Sequence, residues 1–534
     1  MKRVTEKIYK NPILHMDYSD PDVIRVGEDF FMTASSFTYF PGLPILHSKD
    51  LVNWKVVSYA LEKMPYESYN LPSHGKGVWA PAIRYHKGEY FIYFGAPDEG
   101  IFMVKTKNPF GKWEAPILVK EAKGWIDPCP FWDENGEAYL IHAFAASRCG
   151  IKSILHINKM SSDGTYLLDE GVLVIDGREN NPTLEGPKLY KRNGYYYIFA
   201  PAGGVESGWQ SVFRSTNIYG PYEEKVVLAQ GSTPINGPHQ GGLVELENGE
   251  AWFVHFQDKE AYGRVVHLQP VKWIEDWPMM GTPIEGTGCL IDKYGISRVV
   301  DKSFLGQPVL EYTMPNTNEI TLEAMPDVTD EFEQEELGIQ WRWQANPCKA
   351  WYSLEERRGW LRLYTDNKRL EGKATLYELP NVLTQLLPAA CFKVTTKLEL
   401  VRGGLEDGGG LILTGETYNY VTLIHKAEGY FLEYRQGVSK GTGAEEKSIQ
   451  SIKINGYKVY LRAYVYHQDL EDKKALGQFF YSIDGKSFEP IGEEFPLQPG
   501  KWVGAKIGLF ATNFQVGKST GYVDFDWIRI EKIK

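Results

Sequence analysis

The sequence of 534 residues predicts an all-β protein: a five-bladed β-propeller followed by a β-sandwich of concanavalin or jelly-roll type. Five times in the first half a turn glycine leads into an aromatic strand: Gly27 (VGEDFFMTA), Gly88 (KGEYFIYFG), Gly136 (NGEAYLIHAF), Gly194 (NGYYYIFA) and Gly249 (NGEAWFVHF). Their separations of 61, 48, 58 and 55 residues are the period of propeller blades. Counting back seven to ten positions from each glycine gives Asp20, Trp79, Asp127, Glu185 and His239. In a propeller the inner strand of every blade starts at the central funnel, so three of these five positions aim carboxylates at one pocket. Such convergence suggests acid–base chemistry.

A second repeat supports the blades. HSKDLVNW (47–54), KTKNPFGKW (105–113) and RSTNIYGPY (214–222) each read as strand, polar turn and aromatic residue, as outer hairpins built alike would. Gly, Asn and Pro punctuate short strands, and no long segment carries a helical period. The pattern fades after LQPVKW (268–273), which places the propeller and a Pro- and Gly-rich connector (274–325) in residues 1–325. From DVTDEFEQEELGIQWRWQANP (327–347) a new series of alternating strands begins. It includes WLRLYT (360–365), ATLYEL (374–379), CFKVTTKLEL (391–400), GLILTG (410–415), VYLRAYVY (459–466), GQFFYSID (477–484) and YVDFDWIRI (522–530). Two-sided alternation with a turn every ten or so residues reads as a sandwich over 326–534.

The bulk composition is globular, 43% hydrophobic and 24% charged, and the length exceeds one ordinary core. Aromatics reach 14%, which serves sugar stacking and strand formation alike. A formal net charge of −11 argues against nucleic acid or an anionic membrane as partner. The five cysteines (Cys129, Cys149, Cys289, Cys348, Cys391) are odd in number and lack a CxxC, which favours reduced thiols and a cytoplasmic location. The N-terminal MKRVTEKIYKNPILH has no apolar run of the signal-peptide kind, and no segment is apolar enough to span a bilayer.

Asp20 lies in DYSDPDVIRVG and Asp127 in WIDPCPFWD, both Asp-Pro steps entering a strand; Glu185 lies in LEGPKLY, where Gly186 and Pro187 allow a sharp turn. Each has a plain turn reading as well, and it is their agreement at matching repeat positions that selects chemistry. Cleaving a glycosidic bond needs a proton for the leaving oxygen and a nucleophile or an activated water. Two carboxylates suffice, and a third tunes the acid, because a neighbouring anion disfavours ionisation.

DPD near the start, IDP in the middle and EGP later, with GVWAP (77–81) and SSFTYFPGLPILHSKDLVNW (35–54), resemble glycoside hydrolase family 43. The sandwich extends the resemblance over nearly the whole chain, to the two-domain β-xylosidase and α-L-arabinofuranosidase branch. Related sucrose-cleaving propellers carry an NDPNG nucleophile and a Glu-Cys acid, and neither motif occurs here.

The resemblance implies an inverting mechanism with Asp20 as general base, Glu185 as general acid and Asp127 as the residue that raises and orients the acid. Inversion needs room for a water, so a carboxyl separation of about 6.5–9.5 Å is expected between Asp20 and Glu185. Asp22 is the weaker candidate for the base, since no proline follows it and it lies deeper in the blade. Arg264, in YGRVVHLQP, corresponds to the family's arginine in the sugar subsite, although GRVV departs from the GRET of well-known xylosidases. Phe37 and Trp79 are candidate sugar-facing rings, with core packing as the competing reading.

His239, in NGPHQGG, falls at the fifth blade position; it could touch substrate, hydrogen-bond the acid, or hold an axial ion as family members often do. Asp330 (TDEF) and Asp526 (FDWIRI) sit where related sandwiches bind structural Ca²⁺, with a salt-bridged surface as the alternative. No cofactor is required by this chemistry. The expected substrate is a xylo- or arabinoxylo-oligosaccharide, cut by exo action at β-xylosyl or α-L-arabinofuranosyl ends, with dual activity and a homo-oligomer both in keeping with the branch. A sandwich loop such as ATNFQVGKS (511–519), with Phe510 and Phe514, would block one side of the pocket. A non-catalytic carbohydrate-binding propeller would lack a carboxylate of the trio, and a protein-binding scaffold would show more blades and a Trp-Asp consensus.

Overall fold

The computed structural model describes residues 7–285, 288–319, 325–365, 375–441, 443–467, 474–515, 519 and 521–533. Five antiparallel meanders follow one another around an axis. Their inner strands are Asp22–Val26, Trp79–His86, Trp125–Trp132, Lys188–Arg192 and His239–Glu245. Each inner strand turns into an aromatic second strand: Asp29–Thr33, Glu89–Ala96, Ala138–Phe144, Tyr195–Ala202 and Ala251–Asp258. All five turn glycines between them have positive φ (64°, 85°, 86°, 80° and 87° in chain order). A Cβ on any of the five would meet nothing within 4 Å, so the backbone conformation and not crowding demands glycine.

Many of the propeller's rings fill space between blades. Trp54, Tyr93 and Tyr197 are fully buried, and aromatic second strands pack sheet against sheet in the inter-blade clusters. No helix among the described residues is long and apolar enough to cross a membrane.

The connector does more than the sequence suggests. Trp277–Met280, within the expected connector, is the outer strand of the fifth blade. Gly306–Gln307 adds to the fourth blade beside Leu228, and Glu311–Thr313 pairs with the N-terminal strand Ile8–Lys10. Among the described residues no strand is shared between the first and last blades. The ring is closed instead by the N-terminal segment, which bridges Leu14 to Val266 and passes the Tyr18 N–H to the Arg264 carbonyl.

The C-terminal sandwich packs two seven-stranded sheets face to face. Along Lys458–Tyr466, Val459, Leu461, Ala463 and Val465 are buried and alternate with half-buried or exposed neighbours, the period expected of a half-buried strand. The segment 375–379, expected as strand, is a turn held by the Glu378 N–H to the Thr375 carbonyl (3.0 Å); Leu383–Leu386 is the strand that follows. Ala374, the first residue of that expectation, lies outside the described residues.

Backbone and side-chain hydrogen bonds fasten sandwich to propeller. Phe40 and Trp343 exchange N–H···O=C bonds of 2.8 and 2.7 Å, and the Asn346 side chain pairs with the Met64 backbone. At a second point Asp17 Oδ2 accepts the Gly504 N–H at 2.8 Å and lies 3.6 Å from the Lys506 ammonium, both side chains being buried. Burial and the nearby Arg342 lower the Lys506 pKa to about 8, against the pull of Asp17. Removing one member of a buried pair strands the other, at a cost of about 3 kcal/mol. Asp17→Ala is therefore expected to lower the thermal unfolding midpoint by several degrees, and adding Lys506→Met should recover part of that loss. An unchanged midpoint in Asp17→Ala would show that the clasp contributes nothing.

Candidate active site

Each inner strand is entered through one residue with left-handed backbone: Asp20 (φ 53°), Ala80 (35°), Asp127 (56°), Gly186 (58°) and Gln240 (38°). These five are the structurally equivalent positions. The sequence alignment of repeats is therefore corrected by one residue in three blades, because Trp79, Glu185 and His239 each precede the left-handed residue. Asp20 and Asp127 project from it directly, and the longer Glu185 side chain starts one residue earlier.

The trio lines one cavity of about 620 Å³, together with Phe37, Trp79 and Arg264. Asp20 Oδ2 accepts from Ser35 Oγ (2.6 Å) and Ser19 Oγ (2.9 Å), while Oδ1 accepts from Arg264 Nη1 (3.0 Å). Ser35 Oγ in turn accepts the Ala80 N–H at 2.7 Å, so one hydroxyl links the first two blades at the funnel. Burial opposes the Arg264 charge, but Asp20, Asp258, Asp17 and Glu185 outweigh it and raise its pKa. The arginine therefore lines the pocket, as expected, and also grips the base candidate.

Asp127 is 3% exposed and accepts the Gly186 N–H at 2.7 Å. Burial, then the Glu185 and Asp20 charges, push its pKa up to about 8, with the Gly186 N–H and Lys188 acting in the opposite direction. The Glu185 side chain is 33% exposed, and its Oε1 shares a 3.1 Å hydrogen bond with His239 Nε2.

His239 is 1% exposed and does not line the cavity, which corrects its assignment to the substrate. Its partner is Glu185, and its Nδ1 is buried without a hydrogen bond. Among the described residues no three His, Cys, Asp or Glu side chains converge here, so the protein's own side chains supply no ligand set beyond the histidine. The Ca²⁺ expectation in the sandwich meets the same difficulty. Asp330 does pair with the last strand through Ile528, yet its carboxylate accepts N–H groups from Phe332, Gln340 and Trp341. Asp526 is ion-paired with Lys397 at 2.5 Å. A carboxylate surrounded by N–H donors or an ammonium presents positive hydrogens where a cation would have to sit. Asp22, the weaker base candidate, is fully buried and bound to the Ile83 N–H and Arg84.

The sandwich reaches the cavity through Trp502, not through Phe510 or Phe514. Phe510 is buried against Tyr420, and Phe514 stacks on Tyr420 beneath Arg435. Residues 516–518 of the expected loop lie outside the described residues. Trp502 sits in a tight turn closed by Gly500 N–H to the Val503 carbonyl (2.8 Å), with its ring 6.3 Å from Trp79 and 45% exposed. Trp79 also meets Phe37 (6.1 Å) and the Arg148 guanidinium (5.3 Å), which fixes its plane at the mouth. Pro499-Gly500 with a tryptophan two residues further on was the sequence signal for this residue. Ser19 and Ser35 carried none, since hydroxyls beside a carboxylate are common in any loop.

Two family descriptions cover the chain: Glycosyl hydrolases family 43 matches residues 9–278, and the Beta xylosidase C-terminal Concanavalin A-like domain matches 329–531. A Xylanibacter ruminicola protein provisionally named a beta-xylosidase is 38% identical over 510 residues, 95% of this chain and 87% of its own. A Bacteroides ovatus protein named a non-reducing end alpha-L-arabinofuranosidase is 30% identical over 443 residues, 79% of this chain and 76% of its own. The crystal structure of a xylan beta-1,4-xylosidase from Bacillus halodurans superimposes with a TM-score of 0.81 at 25% identity, covering 98% of this chain and all of that one. With three carboxylates gathered at the funnel of a propeller that carries this sandwich, the chain belongs to glycosyl hydrolase family 43 and is a glycoside hydrolase.

Proposed function

We propose that the enzyme is an exo-acting, inverting β-xylosidase that releases xylose from xylo-oligosaccharides, with α-L-arabinofuranosidase activity as the second reading. The observation that carries it is the unequal partnering of three carboxylates in one cavity. Asp20 is held by a guanidinium and two hydroxyls, an environment suited to an ionised carboxylate that activates water. Glu185 is the most exposed of the three and has the longest reach, so it is the member able to deliver a proton to the glycosidic oxygen. Asp127, buried beside both, keeps a proton within the group near neutrality. The names of the relatives support both sugars, and the arabinofuranosidase among them favours the second reading. Trp502 and Trp79, edge to face across the mouth, support exo action by narrowing the cavity where a longer chain would continue.

Release of p-nitrophenol from the β-D-xylopyranoside and the α-L-arabinofuranoside tests the reading directly. Wild type is expected to cleave at least the first. Asp20→Ala and Glu185→Ala should each lose about a hundred- to ten-thousand-fold in kcat. Full activity in both variants would refute these roles, and the wild-type rate ratio names the preferred sugar. An inverting mechanism predicts α-xylose as the first-formed product, which proton NMR reads before mutarotation.

Trp502→Ala removes one wall of the mouth without touching the trio. A stacking ring contributes about 1 kcal/mol, so kcat/KM for xylobiose is expected to fall about fivefold. The aryl glycoside should show the same kcat within a factor of two. An unchanged xylobiose KM would place Trp502 outside the substrate path.

A further inference from the structure

Two residues beyond each left-handed position, the inner strands contribute a second axial layer: Asp22, Ala82, Cys129, Lys188 and Gly242, all buried. Two are charged and three are small. Asp22 Oδ2 is engaged by the Ile83 N–H and by Arg84, whose other nitrogen donates to Cys129 Sγ (2.9 Å). Asp22 Oδ1 has no hydrogen-bond partner and leans over Gly242, where a Cβ would come within 2.7 Å of it. The Lys188 ammonium is fully buried and likewise has no hydrogen-bond partner.

A buried, unpaired ammonium costs several kcal/mol unless nearby anions offset it. Lys188 stands two residues after Gly186, whose N–H holds Asp127, and its charge acts on Asp127 from that layer. We infer that Lys188 is a positioning residue of the reaction: an axial counter-cation that sets how tightly the Asp127–Glu185 pair holds its proton. The inference rests on the trio being catalytic.

The charged groups around the pair include Lys152, Glu206 and Lys293 on the cavity wall. Asp20 and Glu185 load Asp127 with negative charge, the Gly186 N–H and Lys188 relieve it, and Arg264 and His239 lie on the Asp20 and Glu185 sides. The small residue at Gly242 leaves room for Asp22 Oδ1, which a Cβ there would meet at 2.7 Å.

The test is the pH profile of kcat/KM on the aryl xyloside for wild type, Lys188→Met and Lys188→Gln. Loss of the cation makes the pair harder to ionise, so the alkaline limb is expected to move up by about one pH unit. Asp22→Asn, nearly isosteric, removes an anion from the same layer and should move that limb down. This second variant keeps the inference open to refutation if the neutral lysine variants do not fold. Limbs that stay at the wild-type pH, with activity lost uniformly or not at all, would reduce Lys188 to a packing residue. A wild type inactive on both aryl glycosides would instead overturn the functional reading itself.

Discussion

The funnel depends on one backbone constraint repeated in all five blades, a single left-handed residue at the head of the inner strand. This residue turns the chain from the funnel wall into the blade, and it decides which side chains reach the axis. For an L-residue the conformation costs about 1–2 kcal/mol, least for Asp, Asn and Gly. Two of the five positions are therefore aspartates and one is glycine. Ala80 and Gln240 have no such tolerance, and Ala80 is secured by the Ser35 hydroxyl that accepts its N–H. Chemistry and backbone economy thus select the same residue type at Asp20 and Asp127. Glu185 escapes the constraint by standing one position earlier, and Gly186 takes the left-handed place in its blade.

Charge is then distributed by neighbours. Three carboxylates within one cavity cannot all ionise freely, and the structure separates them by giving each a different partner. A guanidinium serves Asp20, a histidine serves Glu185, and Asp127 has a single peptide N–H. The least compensated carboxyl is the most deeply buried one, and it is the one whose pKa is lifted to about 8. The second axial layer, with Lys188 and the Asp22–Arg84 pair, extends this pattern below the cavity floor.

The sandwich is part of the site and not an appended module. Asp17 accepts the Arg264 N–H with one oxygen (2.9 Å) and the Gly504 N–H with the other (2.8 Å). One buried carboxylate thereby sets the register between the arginine that grips Asp20 and the turn that carries Trp502. Close approach is essential here: a Cβ at Gly504 would sit 2.7 Å from the Gly263 nitrogen. The N-terminal segment closes the ring at the same place, so ring closure and domain docking share one set of contacts.

The sequence by itself determined the architecture and the trio. Glycine turns at a blade-like period and aromatic strands are local signals, and each turn glycine has the positive φ that its residue type announces. The carboxylates could be read for the same reason, since Asp-Pro and Glu-Gly-Pro steps mark strand entries. Tertiary structure alone decided the rest. The one-residue offset of Trp79, Glu185 and His239 is set by which residue takes the left-handed backbone in each blade, accompanied by a bulge at Trp79 and at His239 and by none at Glu185. His239 turned from the pocket to Glu185, and Trp502 replaced the 511–519 loop at the mouth, because both depend on how separate sheets pack. Lys188 was invisible as a buried charge, since a lysine after Gly-Pro at the start of a strand ordinarily faces water. Only the convergence of five strands on one axis removes it from solvent.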